Sequence, residues 1–348
     1  MWLISIRDLQ FRRRRFSIAV AATALVFAMT LLMAGVSASL HNEPRRITDV
    51  IGADSWIVAK GTAGPFTAAT VVPADAAAAI AAAPGVETAD PLVILHSAMR
   101  EPVDRDVNVI GYRIGGLGAP PLTAGRRPRA PGEVVADSLL GLELGDGLAA
   151  GGQQFEVVGI GDGITYYFGT ATIFVPLEDA QAMGFSGKPL ATTIVTAGRA
   201  SSPPQGLDAL GPAEVRADLE RPLASGTQSI DFISVLLWFT AAGIIGSIIY
   251  LSALDRTRDF AVLKATGAPN RALMIGLALQ AIVLSVASAA LAIVLAQVLA
   301  PAFPFSVEIP LRSYVYLFLI AASVGLVASL AGLRRAVGVD PALAFGGA

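Results

Sequence analysis

Phe16–Leu40 reads FSIAVAATALVFAMTLLMAGVSASL, 25 residues without one Asp, Glu, Lys or Arg. A helix of roughly 20 apolar residues covers about 30 Å of hydrocarbon, so this stretch is long enough to span a membrane. Three more uncharged runs follow, Phe232–Leu254, Ala272–Val307 and Ser313–Leu333. The third exceeds one crossing, but Pro301 and Pro304 stop its helix near Ala300 and leave a short loop running through Glu308 to Arg312. A buried core helix of a soluble protein accounts for one such run but not for four. Composition agrees: of 348 residues 54% are hydrophobic and 15% charged, against about 25% charged in soluble domains, and mean hydropathy is +0.64.

The expected fold is therefore a membrane α-helical protein with four transmembrane helices and an α/β domain inserted between helices 1 and 2. The reading divides the chain into a basic segment 1–15, a first span 16–40, a domain 41–231 and a second span 232–254. A cytoplasmic loop 255–271, a third span 272–300, an external loop 301–312, a fourth span 313–333 and a tail 334–348 complete it. Cationic side chains set orientation. Arg7, Arg12, Arg13, Arg14 and Arg15 precede the first span, Arg256, Arg258, Lys264 and Arg271 follow the second, and Arg334 and Arg335 follow the fourth. Against four acids in those segments they leave +7, whereas residues 41–231 hold 13 basic and 22 acidic residues, a net −9. Both termini are expected in the cytoplasm, the chain being multi-pass with the domain outside. A cleaved signal peptide is the competing reading of the N-terminus, but its apolar core spans about 7 to 15 residues, and this run is longer.

The inserted domain reads as short strands rich in Val, Ile and Thr: Ser55–Ala59, Leu92–Leu95, Val107–Gly111, Glu133–Ala136, Phe155–Ile160, Thr172–Val175 and Thr192–Thr196. Helical pieces are expected at Ala74–Ala83, Ser138–Leu142 and Leu177–Met183, and Ser201–Arg221, with prolines around it, is expected to be a stalk or a return connection to the second span.

Two stretches carry a resemblance. Gly132-Glu133-Val134-Val135-Ala136-Asp137, Leu144-Gly145-Asp146, Phe155-Glu156-Val157-Val158-Gly159-Ile160 and Ile173-Phe174-Val175-Pro176-Leu177 are similar to the periplasmic core domain of MacB-like transporter permeases. Arg256-Thr257-Arg258-Asp259-Phe260-Ala261-Val262-Leu263-Lys264-Ala265-Thr266-Gly267-Ala268-Pro269 resembles the conserved loop of the FtsX/MacB-like ABC transporter permease family. Asp259, Phe260 and Ala261 stand where that family usually has Glu, Ile and Gly. The ending Asp340-Pro341-Ala342-Leu343-Ala344-Phe345 resembles the family's tail without its final Arg.

Read from its residues alone, the loop is a short amphipathic helix ended by Gly267 and Pro269, or a solvated loop whose cations enforce topology. The resemblance implies more: a coupling helix, with Arg256, Arg258, Asp259, Phe260, Ala261, Val262, Leu263, Lys264, Gly267 and Pro269 docking into a cytoplasmic ABC ATPase. It also implies a homodimer in a bacterial inner (plasma) membrane, bound to two copies of that ATPase, through which ATP and Mg act. This chain has no Gly-x-x-x-x-Gly-Lys-Ser/Thr phosphate loop, and no cofactor is expected on it. The implied function is the permease subunit of an exporter or mechanotransmission complex. Its alternatives are an FtsX-type regulator of an extracytoplasmic cell-wall hydrolase, and an ATPase-independent receptor or scaffold.

Enzyme chemistry finds little material. His41 and His96 are the only histidines and there is no cysteine, which restricts metal clusters and triads, and no basic and aromatic groove for nucleic acid is present. No metal site is expected. Tyr166, Tyr167 and Phe168 form an aromatic cluster suited to a substrate or partner, or to packing within the domain. Gln280 and Gln297 are polar groups within the third span, and such groups face another helix or a wet cavity.

Overall fold

A computed structural model describes residues 13–255, 261–262, 265–266, 269–303, 307 and 309–337. In chain order the elements are α1 (Arg13–Ile51), β1 (Ser55–Ala59), β2 (Val72–Pro73), α2 (Ala76–Ala81), β3 (Thr88–Glu101), β4 (Arg105–Tyr112), β5 (Ala124–Gly125) and β6 (Glu133–Asp137). A single 3-10 turn (Ser138–Leu140) leads to β7 (Gly147–Ala150), β8 (Gln153–Gly161), β9 (Thr165–Tyr166), β10 (Thr170–Pro176), α3 (Leu177–Phe185), β11 (Leu190–Ala191), β12 (Thr193–Ala197) and β13 (Leu207–Leu210). The long helices α4 (Pro212–Asp255), α5 (Asn270–Leu299) and α6 (Leu311–Val337) follow. Two compact units result, one of Met1–Ala38 with Gln228–Ala348, the other of Ser39–Thr227.

In the first unit the helices share one apolar core, with Phe27 and Leu32 from α1, Ile245 and Ile249 from α4, Ala281 and Leu284 from α5, and Leu317 and Ala321 from α6. Small residues let α5 and α6 approach closely: a Cβ added at Gly325 would stand 2.5 Å from Ser285 Oγ and 3.1 Å from the Ala281 carbonyl oxygen. Their other faces stay apolar too. Ile18, Phe239, Ile275, Val298 and Leu319 are all exposed, the pattern of helices that meet lipid as well as one another. Among the described residues three helices are long and apolar enough to cross a membrane, Phe16–Ile51, Pro212–Asp255 and Ile275–Ala302, and Leu311–Val327 is a shorter apolar helix.

The second unit is a mixed α/β domain. Six of its strands close on themselves: β3 pairs β4, β4 pairs β10, β10 pairs β6, β6 pairs β8, β8 pairs β7 and β7 returns to β3. The pairs β4–β10 and β6–β8 are parallel and the other four antiparallel. The 14-residue β3 makes closure feasible, because Thr88–Leu92 also pairs with β12 while Met99 and Glu101 pair with β7. From β12 the sheet extends through β1 to β13.

Side chains alternate along these strands as a pleat requires. Val93, Val107, Val109, Val134 and Ile173 share the core within the ring. Their neighbours Leu92, Ile110, Val135 and Phe174 face the other way, into a second core with Ile47, Ile51, Val215 and Leu219. Both faces being buried explains why β4, β6 and β10 read as continuous apolar runs rather than alternating ones.

Every strand expected from sequence lies on an observed one. Two expectations need correction. Ser138–Leu142 holds one 3-10 turn rather than a helix. Ser201–Arg221 is a return connection rather than a stalk: it contains edge strand β13, paired with β1, and the first turns of α4, which runs on to Asp255. Proline misled the reading there, since Pro212 opens the helix, where a missing N–H costs nothing, and Pro222 is carried inside it. The helix that contains residues 16–40 runs on to Ile51 through Pro44.

Candidate functional site

Two helical segments, residues 39–51 of α1 and 212–227 of α4, belong to the second unit. On α1, Leu40, Glu43, Ile47, Thr48 and Ile51 are buried, a stripe at three- and four-residue spacing; on α4, Val215, Asp218, Leu219 and Leu223 form its counterpart. Burying each of Ile47, Ile51, Val215 and Leu219 contributes about 2 kcal/mol.

Three polar contacts fix these stripes. Arg216 donates from Nη2 to Asp49 Oδ1 at 2.7 Å and from Nε to Thr48 Oγ1 at 3.0 Å, tying α4 to α1. Asp218, fully buried, accepts at Oδ2 from the Phe66 amide at 3.1 Å and the Thr67 amide at 3.3 Å, and its Oδ1 accepts from the Thr67 hydroxyl. Glu43 Oε1 accepts from the Thr165 hydroxyl at 3.3 Å. Burial pushes the Glu43 carboxyl up to about 7, against the pull of the Gly169 backbone, Thr165, Arg46 and the Phe168 backbone.

One of these contacts, Glu43 to Thr165, lies on the turn from Thr165 to Thr170. Tyr167 and Phe168 adopt left-handed backbone, with φ of 64° and 59°, a conformation side-chain-bearing residues enter at a cost. The turn is held from within the domain: Asn108 Nδ2 donates to the Tyr166 carbonyl at 3.0 Å and the Thr170 carbonyl at 2.9 Å, and Thr170 Oγ1 donates to the Tyr167 carbonyl at 2.7 Å. It also lies beside α4, because a Cβ added at Gly226 would stand 3.3 Å from the Phe168 ring. Tyr166 packs edge-on against Phe66 with ring centroids 5.2 Å apart, and Phe66 is the residue whose amide Asp218 holds. One turn thus touches α1 through Glu43 and α4 through Phe168, and leads directly into β10 of the ring.

Of the aromatic cluster named from sequence, Tyr166 is buried, Tyr167 half-buried and Phe168 exposed at 47%. His96 lies edge-on to Tyr167 at 4.9 Å, and burial lowers its pKa. Among the described residues no group of three His, Asp or Glu side chains is placed to hold a metal. Gln280 is buried and donates from Nε2 to Ser252 Oγ at 3.3 Å, a bond from α5 to α4, whereas Gln297 is exposed.

Of the proposed ATPase-coupling residues, Arg256, Arg258, Asp259, Phe260, Leu263, Lys264 and Gly267 lie outside the described residues. Ala261 and Val262 are helical, Ala261 buried and Val262 exposed, and the Thr266 amide donates to the Val262 carbonyl at 3.0 Å. Pro269 is extended and caps α5. Sequence reasoning missed Glu43, Asp218 and Arg216. The spacing Leu40, Ile47, Ile51 and Val215, Leu219, Leu223 was the available signal, since it continues a helical stripe past the apolar runs.

Comparison with known proteins fits both units. Residues 17–212 match the model of the MacB-like periplasmic core domain, and residues 232–341 that of the FtsX-like permease C-terminal region. An uncharacterized ABC transporter permease of Mycobacterium bovis is 42% identical over 348 residues, covering 100% of both chains, and one from Mycobacterium tuberculosis matches to the same extent. The crystal structure of the periplasmic region of MacB from Actinobacillus actinomycetemcomitans overlaps 49% of this chain and 95% of its own, at 12% identity and a TM-score of 0.35.

Proposed function

Because this chain belongs to the FtsX/MacB-like family of ABC transporter permeases, whose activity implies a partner ATPase, we propose that it transmits force from that ATPase to its extracytoplasmic domain. Four helices span the membrane, Leu311–Val337 being the fourth, and both termini are cytoplasmic. Two copies of the chain pair with two ATPase subunits, which bind ATP and Mg; this chain is non-catalytic. Closure of the ATPases displaces the loop from Arg256 to Pro269 and with it α4 and α5. The membrane-facing helices act as levers rather than as walls of a pore.

The observation that supports this reading is the turn from Thr165 to Thr170. It is hydrogen-bonded to α1 at Glu43, lies beside α4 at Gly226, and feeds β10. Movement of either helix along its axis displaces that turn, and the closed ring carries the displacement to strands far from the helices. A chain acting as a stand-alone receptor needs no such attachment.

Replacing Leu263 or Gly267 with Asp tests the coupling. In the purified complex with its ATPase, each variant is expected to insert in the membrane and bind its second copy while losing stimulation of ATP hydrolysis. Normal coupling in both variants would count against the docking role. Gly226→Val tests the outer end, where the new side chain must displace Phe168. ATP turnover continues in this variant, while export or enzyme activation outside the membrane is expected to fail.

A further inference from the structure

A buried acid stands where α1 meets the turn that leads into β10. Glu43 is 5% exposed and lies on the apolar stripe of α1, with Leu40 and Ile47 one turn to either side. Its two carboxyl oxygens are unequally served. Oε1 accepts a long hydrogen bond from the Thr165 hydroxyl at 3.3 Å. The backbone of Gly169 and Phe168 favours the charged form, yet Oε2 has no hydrogen-bond partner among the described residues. Such a site holds the neutral acid at little cost, whereas the anion needs solvation that the stripe does not supply.

The other side of the contact is a backbone in a costly conformation. Tyr167 and Phe168 have φ of 64° and 59°, and side-chain-bearing residues keep such values only where their surroundings fix them. Asn108 fixes this turn from β4 through the Tyr166 and Thr170 carbonyls. Glu43 fixes it from α1.

The charges around the contact are engaged elsewhere or act weakly on it. Arg46, the next turn along α1, favours ionisation of Glu43, but burial outweighs it; His41, two residues before Glu43, is exposed. Across the turn, His96 of β3 lies edge-on to Tyr167, under the influence of Asp106 of β4. Asp162, ahead of the turn, accepts from Ser138 Oγ at 2.7 Å. On α4, Asp218 is held by the Phe66 and Thr67 amides and Arg216 by Asp49.

We propose that Glu43 is a proton-controlled latch: α1 stays attached to the turn from Thr165 to Thr170 while the carboxyl is protonated, and the attachment loosens when it ionises. On the force-transmission reading, which places the domain outside the cell, a rise in external pH then uncouples α1 from β10. That consequence rests on that reading, whereas the latch itself does not. Burial lifts the carboxyl from 4.5 to about 7, so the attachment is strongest below pH 4.5. It weakens as pH rises through 7, by about fortyfold between pH 5 and 7, and changes little beyond.

Hydrogen exchange with mass spectrometry, on the full chain in nanodiscs without its ATPase, tests the latch. After correction for intrinsic exchange rates, opening of the peptide carrying Thr165–Thr170 is expected to rise about fortyfold from pH 5 to 7. A peptide carrying β6 should not follow. Glu43→Gln, which stays neutral, should abolish the rise, and His96→Gln, which removes the other group titrating near this range, should keep it. Opening that does not depend on pH in the native chain would overturn the latch, and the native profile alone decides this if Glu43→Gln does not fold. A rise that survives Glu43→Gln, disappears in His96→Gln or extends equally to β6 would also overturn it. In proteoliposomes with the ATPase side held at constant pH, nucleotide-driven movement of the domain is expected to shrink as the opposite side goes from pH 5 to 7. Equal movement at both values would overturn the uncoupling. Absence of movement at every pH would count against force transmission itself, and the exchange profile would still decide the latch.

Discussion

Glu43 is the residue whose chemistry is least expected from its position. It occupies a stripe of Leu40, Ile47 and Ile51, where an ionised carboxylate meets little water, and its pKa rises from 4.5 to about 7. A carboxyl held above its unfolded value binds its proton more tightly in the folded chain. The resulting stability is fully present below pH 4.5 and is lost as pH rises through 7, by roughly 3 kcal/mol in all. Thermal unfolding of the native chain should therefore weaken from pH 5 to 8, and Glu43→Gln should flatten that dependence. An unchanged slope in the variant would remove Glu43 as its cause. Asp218→Ala leaves the Phe66 and Thr67 amides without their acceptor and should cost about 2–3 kcal/mol in denaturant unfolding. Neither residue was legible as a site in the sequence. An acid after a membrane run looks like a boundary marker, and only the fold shows that its helix continues into a core.

At the scale of elements, the strands were legible because burial on both faces demands apolar, β-branched residues and tight turns separate them. Ser55–Ala59 is matched to the residue, and Val107–Gly111, Glu133–Ala136 and Phe155–Ile160 lie within β4, β6 and β8. The closing of β7 onto β3 was not legible, since long-range pairing leaves no local signature in Gly147–Ala150. The extension of α1 to Ile51 and the start of α4 at Pro212 were not legible either, because hydropathy marks where an apolar run stops and not where hydrogen bonding does. The contact of α5 with α6 gives a test confined to these elements. Gly325→Val places a side chain against Ser285 and the Ala281 carbonyl and should destabilise the helical unit by about 1–3 kcal/mol. Melting of the detergent-solubilised chain, followed by helical circular dichroism, reads this directly; an unaltered melt would show that α6 can withdraw.

For the whole molecule, the sequence displayed a membrane unit, an inserted domain and the loop from Arg256 to Pro269, each through composition or motif. It did not display the attachment of Glu43 to Thr165, of Arg216 to Thr48 and Asp49, and of Asp218 to Phe66 and Thr67, which joins residues far apart in the chain. That attachment gives the force-transmission proposal its structural content. The absence of cysteine makes a direct measurement practical. A spin label on Val103→Cys, a site 58% exposed in the second unit, reports the distance from one copy to the other in the complex with its ATPase. With a hydrolysis-deficient ATPase, adding ATP and Mg is predicted to shift that distance distribution, and Leu263→Asp to abolish the shift. An identical distribution with and without nucleotide would contradict the account.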